Sequence, residues 1–145
     1  MTVSGPGPGP AVTDASVSRT RRDHRWALGL AALLGVAGVA HLVAPQGFDD
    51  IVPRALPGSA GAWTALSGVV ELLLAAGIAR PRTRRYAATV AAGFFVAVFP
   101  ANVQMAIDWW SRSGPDPAIA LLRLPLQLPL IWWAWRVRTR APRHR

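Results

Sequence analysis

The sequence predicts an all-α fold, an up-and-down four-helix transmembrane bundle. Apolar residues form 52% of the 145-residue chain, and they are gathered into four long blocks rather than spread at amphipathic spacing. The first block is long enough to cross a hydrocarbon core about 30 Å thick, because a helix rises about 1.5 Å per residue. Charged residues lie mainly between the blocks. We therefore expect a multi-pass protein of the cell membrane, surrounded by the lipid bilayer.

In chain order, the predicted elements are a tail, four spans and a second tail. Residues 1–20 are predicted to be a disordered N-terminal tail, because the alternating glycines and prolines of residues 5–10 offer little apolar surface. The first apolar block is interpreted as a span, since a cleaved signal peptide has a shorter apolar core. Residues 21–137 form the membrane domain and residues 138–145 a basic cytoplasmic tail. The apolar blocks are residues 26–44, 62–79, 86–107 and 118–135.

The distribution of arginine predicts the orientation of these spans. The flank before the first block, the loop after the second and the C-terminal tail hold four, four and five of the sixteen arginines. The opposite side has only Arg54 and Arg112, and Arg123 lies within the fourth block. Arginine-rich loops near spans stay in the cytoplasm, and tryptophans near the block ends match the two membrane interfaces. We therefore expect both termini in the cytoplasm.

Composition also argues against several classes of function. The net charge of +9 suggests nucleic acid at first, but the arginines stand in short runs between apolar blocks, without a basic face rich in aromatic residues. We therefore expect no nucleic-acid partner. The chain has no cysteine, so it cannot carry its own dithiol chemistry or an iron–sulfur centre. With no cysteine and with His24 and His144 in the flanks, we expect no metal site.

Polar residues inside the blocks are the candidate functional site. An ionisable group at membrane depth costs about 2.5–3.5 kcal/mol on insertion scales, so it usually faces the protein interior. All of the candidates lie between the predicted midplane and the outer surface, whereas the inner half is almost purely apolar. They are His41, Ser67, Glu71, Asn102, Gln104, Arg123 and Gln127.

Two interpretations of this polar cluster remain open. Glu71 and Arg123 differ in depth by about one helical turn, so an ion pair between them would lock the helices together. Alternatively, the cluster lines a chamber that opens outward and binds a ligand. Pro100, Pro125 and Pro129 free backbone carbonyls that need other donors, and the polar side chains are close enough to supply them.

The same residues resemble a known family. The segments are GVAHLVAP (38–45), LPG (56–58), LSGVVEL (66–72), VFPANVQM (98–105) and LRLPLQ (122–127). In this order, they resemble the DoxX family of small four-helix membrane proteins, over residues 25–136. The positions that match the family pattern are His41, Glu71, Asn102, Arg123 and Gln127.

The resemblance implies a membrane subunit of a redox or stress-response assembly, because some DoxX relatives belong to complexes such as thiosulfate:quinone oxidoreductase. It implies a quinone in the chamber and a membrane or peripheral oxidoreductase as partner. No catalytic residues can be carried over, and the lack of cysteine argues against thiol exchange by this chain. The sequence leaves open a small transporter or export component, which would need to form a homo-oligomer, and a purely structural or assembly role.

Overall fold

The computed structural model describes the backbone of residues 14–110 and 117–142 and the side chains of residues 15–108 and 124–142. Within these ranges the chain forms five helices and no strand. The predicted all-α class is therefore confirmed. The helices are α1 (Asp14–Val43), α2 (Gln46–Asp49), α3 (Ala60–Ala79), α4 (Arg84–Trp110) and α5 (Pro117–Arg140).

Three of these helices are long and apolar enough to cross a membrane: α1 from Ala15, α3, and α4 as far as Asp108. Their outward faces carry large apolar side chains that a soluble protein would bury. Val36 on α1 is 71% exposed and Leu73 on α3 is 67% exposed. An apolar surface on this scale is suited to lipid contact, so the helices indicate a membrane protein.

Two helical segments lie where the sequence suggested irregular structure. The first helix begins at Asp14, so residues 14–20 of the expected disordered tail are helical, whereas residues 1–13 lie outside the described part of the chain. The short helix α2 lies in the loop after the first apolar block. Neither segment has the hydrophobic pattern from which a helix can be predicted.

The last turn of α3 is capped by the loop that follows it. A helix leaves its last four carbonyls without partners inside the helix, and unpaired carbonyls are costly near a membrane. Here the Ala76 carbonyl accepts from the Arg80 N–H at 3.3 Å, and the Gly77 carbonyl accepts from Thr83 Oγ1 at 2.7 Å. Side chains therefore begin to replace the missing helical bonds at this point.

Arg84 supplies the remaining two partners. Its Nε donates to the Ile78 carbonyl at 2.8 Å and its Nη2 donates to the Ala79 carbonyl at 3.1 Å. The same Nη2 lies 3.2 Å from Nδ1 of His24 on α1, and because arginine only donates, this nitrogen of His24 is the acceptor. Arg84 is 6% exposed. One buried guanidinium therefore completes the cap of α3 and ties it to α1.

The helices α1 and α3 touch through their backbones at Gly38 and Gly68. A Cβ on Gly38 would lie 2.8 Å from the Gly68 carbonyl oxygen, and a Cβ on Gly68 would lie 2.9 Å from the Cβ of His41. Both distances are too short for real side chains, so glycine is required at these two positions. The close approach places His41 directly against α3.

One end of the molecule is filled by a continuous apolar core. It joins the middle of α1 and the N-terminal half of α4 to the C-terminal halves of α3 and α5. Its members are Ala27, Leu30, Ala31, Leu34, Leu74, Ile78, Ala88, Ala91, Ala92, Phe95, Ala134 and Val137. The opposite ends of the same helices do not close in this way, and that is where the candidate site lies.

Candidate functional site

A cavity of about 460 Å³ lies beyond the apolar core, between the four long helices. Most of its wall is apolar, with polar side chains contributed by α1, α3, α4 and α5. The loop between α1 and α3 forms part of the wall through Phe48, Ile51, Val52, Pro53 and Leu56. This volume lies within the roughly 300–1,000 Å³ typical of small-molecule sites.

His41 and Glu71 meet at the wall of this cavity. Nδ1 of His41 lies 2.8 Å from the Ala37 carbonyl, and because a carbonyl only accepts, this nitrogen carries a proton. The same nitrogen lies 3.2 Å from Oε2 of Glu71, while the ring of Phe48 stacks on the imidazole at 3.9 Å between centroids. The proton is directed to Ala37, so the contact with Glu71 is electrostatic and Oε2 has no hydrogen-bond partner among the described residues.

Gln127 forms the second polar contact across the cavity. Its Nε2 donates to the Phe95 carbonyl of α4, and its Oε1 accepts from Nδ2 of Asn102 at 3.2 Å. The sequence predicted that polar side chains bond the carbonyls that the prolines free. Pro100 frees the Val96 carbonyl, whereas Gln127 bonds the carbonyl of Phe95, one residue earlier. Gln127 therefore joins α5 to the part of α4 that contains Pro100.

Thr64 is a further polar residue of the wall, one that sequence analysis did not select. It is 2% exposed, and its Oγ1 has no hydrogen-bond partner among the described residues. Glu71 is 8% exposed, and its Oε2 also has no hydrogen-bond partner among the described residues. An unsatisfied buried polar group typically costs about 1–3 kcal/mol, so two of them at one cavity call for a functional explanation.

The structure brings together most of the residues that sequence analysis selected. The cavity wall includes His41, Ser67, Glu71, Asn102 and Gln127.

Two selected residues are placed otherwise. Gln104 is exposed outside the cavity and donates to Oδ1 of Asp108 at 3.0 Å. The side chain of Arg123 lies outside the described residues, and so does the expected Glu71–Arg123 ion pair. Among the described residues, no three histidine, aspartate or glutamate side chains are grouped so that they could hold a metal ion.

Two members of the site were missed by sequence analysis for different reasons. Thr64 lies three residues before Ser67 and seven before Glu71, so helical spacing alone could have placed it on the same face. Phe48 belongs to a short helix in a loop, and no periodic signal connects it to His41.

Comparisons with known proteins correct the resemblance to DoxX. No curated protein and no solved structure matches the chain. A family other than DoxX matches residues 30–138, so the DoxX assignment was wrong, and the redox role and oxidoreductase partner that it implied lose their support. The segments behind that assignment are short apolar strings around single polar residues, and helical membrane proteins with a polar interior commonly contain such strings. The chain belongs to the family described as a domain of unknown function (DUF8561).

Proposed function

We propose that this chain is a four-span membrane protein that binds an amphipathic small molecule in the cavity between the outer halves of its helices. The observation that carries the proposal is a pair of buried polar atoms, Thr64 Oγ1 and Glu71 Oε2, which have no hydrogen-bond partner among the described residues and lie at the wall of a largely apolar cavity. A structural polar lock has no need of unsatisfied atoms, whereas a binding site keeps such groups for its ligand.

The fourth span in this proposal is α5. It has 24 residues, enough at about 1.5 Å per residue to cross a hydrocarbon core about 30 Å thick. Its outward face resembles those of the other spans, with Leu126, Leu128 and Trp132 all more than half exposed. With four spans, the arginine distribution favours cytoplasmic ends and an outward cavity.

Reporter fusions test this topology. A reporter that is active only in the cytoplasm should give signal when it is fused after Arg85 or at the C-terminus, because these positions follow arginine-rich segments. The same reporter fused after Asp50 should be silent. A strong signal after Asp50 would contradict the proposed orientation.

The polar groups limit the chemistry of the ligand. An ionised Glu71 only accepts hydrogen bonds, whereas the Thr64 hydroxyl both donates and accepts. A headgroup that carries a hydroxyl or amine beside a carbonyl would satisfy both. The apolar walls suit a hydrocarbon body, and a quinone-like or quinol-like molecule belongs to this class.

Polar variants of the cavity test the binding proposal. Thr64→Val keeps the shape of the side chain and removes the hydroxyl, and Glu71→Gln removes the acidic group. We expect each to lower the amount of co-purified small molecule at least tenfold, because Thr64→Val removes a hydrogen bond to the headgroup and Glu71→Gln replaces a charge-assisted bond with a weaker neutral one. The melting temperature of Thr64→Val should not fall, since the hydroxyl has no partner among the described protein groups.

The measurement is mass spectrometry of lipid-soluble compounds that remain with the full chain after purification in mild detergent. Thr20→Val is the matched control, because Thr20 is exposed on α1 and its hydroxyl donates to the Ser16 carbonyl of its own helix. Retention at the wild-type level in Thr64→Val and Glu71→Gln would contradict the proposal. So would a wild-type preparation that contains nothing beyond bulk membrane lipid.

A further inference from the structure

A second site lies at the opposite end of α1 from the cavity. A surface groove there is lined by Ser18, Arg21, Arg22, Arg25 and Trp26. The groove therefore has three guanidinium groups and one indole, and its lining contains no carboxylate. The helical spacing explains this composition, since Arg21 and Arg25 are four residues apart, as are Arg22 and Trp26.

A fourth guanidinium reaches the same level from α5. Arg136 lies over the rings of Trp26 and Trp132, with its Cζ 5.4 and 5.3 Å from their centroids. Its Nε is buried and has no hydrogen-bond partner among the described residues. This cation is therefore held by aromatic faces, and its charge is not neutralised by a carboxylate bonded at Nε.

The aromatic residues pack α1 against α5 at this end of the protein. Nε1 of Trp133 donates to the Trp26 carbonyl at 3.0 Å, and the rings of Trp26 and Trp133 meet edge to face at 5.7 Å. A Cβ on Gly29 would lie 3.0 Å from the Trp133 ring, so α1 and α5 are tightly packed here. The groove arginines thus lie on α1 beside its packed contact with α5.

The position of the groove corresponds to the phosphate level of a bilayer. Trp26 begins the apolar block, and Arg21 precedes it by five residues, which is about 7–8 Å along a helix. Tryptophan favours the headgroup level, and the arginines then lie just outside it. We propose that this groove binds the phosphate headgroup of an anionic phospholipid. The inference rests on the membrane placement of α1 and is independent of the ligand proposed for the cavity.

The surface beside the groove favours a lipid over a free phosphate ion. Leu33 and Val36, seven and ten residues beyond Trp26 on α1, are both exposed, so an apolar strip follows the basic groove. An acyl chain can cover such a strip while its phosphate contacts the arginines. A small inorganic anion would contact the arginines and leave the apolar strip uncovered.

Two triple variants with equal charge loss test the site. The first is Arg21→Gln, Arg22→Gln and Arg25→Gln in the groove. The matched control is Arg80→Gln, Arg82→Gln and Arg85→Gln in the other basic segment, which leaves Arg84 in place. Native mass spectrometry of the full chain in neutral detergent would follow titration with phosphatidylglycerol, phosphatidylcholine and inorganic phosphate.

We expect the wild type to prefer phosphatidylglycerol to phosphatidylcholine, and the groove variant to weaken phosphatidylglycerol binding at least tenfold. The control should stay within about threefold of the wild type. Equal losses of phosphatidylglycerol binding in the two triple variants would show that only the overall charge of the protein matters, and would overturn the proposal. Absence of any preference for phosphatidylglycerol would also overturn it, as would its complete displacement by millimolar inorganic phosphate.

Discussion

Replacing Arg84 with methionine is expected to lower the free energy of unfolding by about 3 kcal/mol, because two charge-assisted hydrogen bonds are lost and each contributes about 1.5–3 kcal/mol. The carbonyls of Ile78 and Ala79 would be left at the end of α3 without the Nε and Nη2 donors that now hold them. The contact with His24 of α1 would disappear as well.

The measurement is thermal unfolding in detergent, where a loss of this size lowers the melting temperature by roughly 10 °C. Arg82→Met is the matched control, because Arg82 is exposed in the same basic segment and its removal changes the net charge equally. Arg84→Lys should lie between the wild type and Arg84→Met, since lysine keeps the charge and lacks the planar fork. Equal melting temperatures for Arg84→Met and Arg82→Met would show that the cap contributes nothing.

The role of Arg84 also shows what the sequence could not reveal. Hydropathy located the apolar blocks close to the helices that contain them, since apolar length is a direct requirement of a membrane span. The arginines of residues 80–85 were used together to predict the orientation of the spans. Which of them turns back to cap a helix depends on the geometry of the turn, and residue type alone does not specify that geometry.

The candidate site could be predicted in part, for a physical reason. Polar groups such as Glu71 and Gln127 stand out inside apolar blocks because their insertion is costly. Gln104 was grouped with Asn102 because the two lie at similar depth. Residues two positions apart on a helix point about 200° away from each other, and in the structure the two side chains have different partners. The depth of each polar residue in the membrane could be estimated from the sequence, whereas the direction of its side chain depends on how the helices pack.

Filling the cavity is expected to have the largest effect on binding. Ala101 of α4 lies in the cavity wall, so Ala101→Leu replaces a methyl group with an isobutyl group inside the space that the ligand would occupy. Ala97 lies one turn earlier on the same helix, is exposed and is not part of the wall. Ala97→Leu is therefore a control with the same chemical change on the lipid-facing surface.

The most direct test of the account is the amount of small molecule that remains with these two variants after purification in mild detergent. We expect Ala101→Leu to retain at most about one tenth of the wild-type amount, because steric exclusion of a ligand removes more than about 1.4 kcal/mol of binding free energy. Ala97→Leu should retain the full amount, and both variants should keep the wild-type melting temperature. Equal retention in Ala101→Leu and Ala97→Leu would contradict the assignment of the cavity as a binding site.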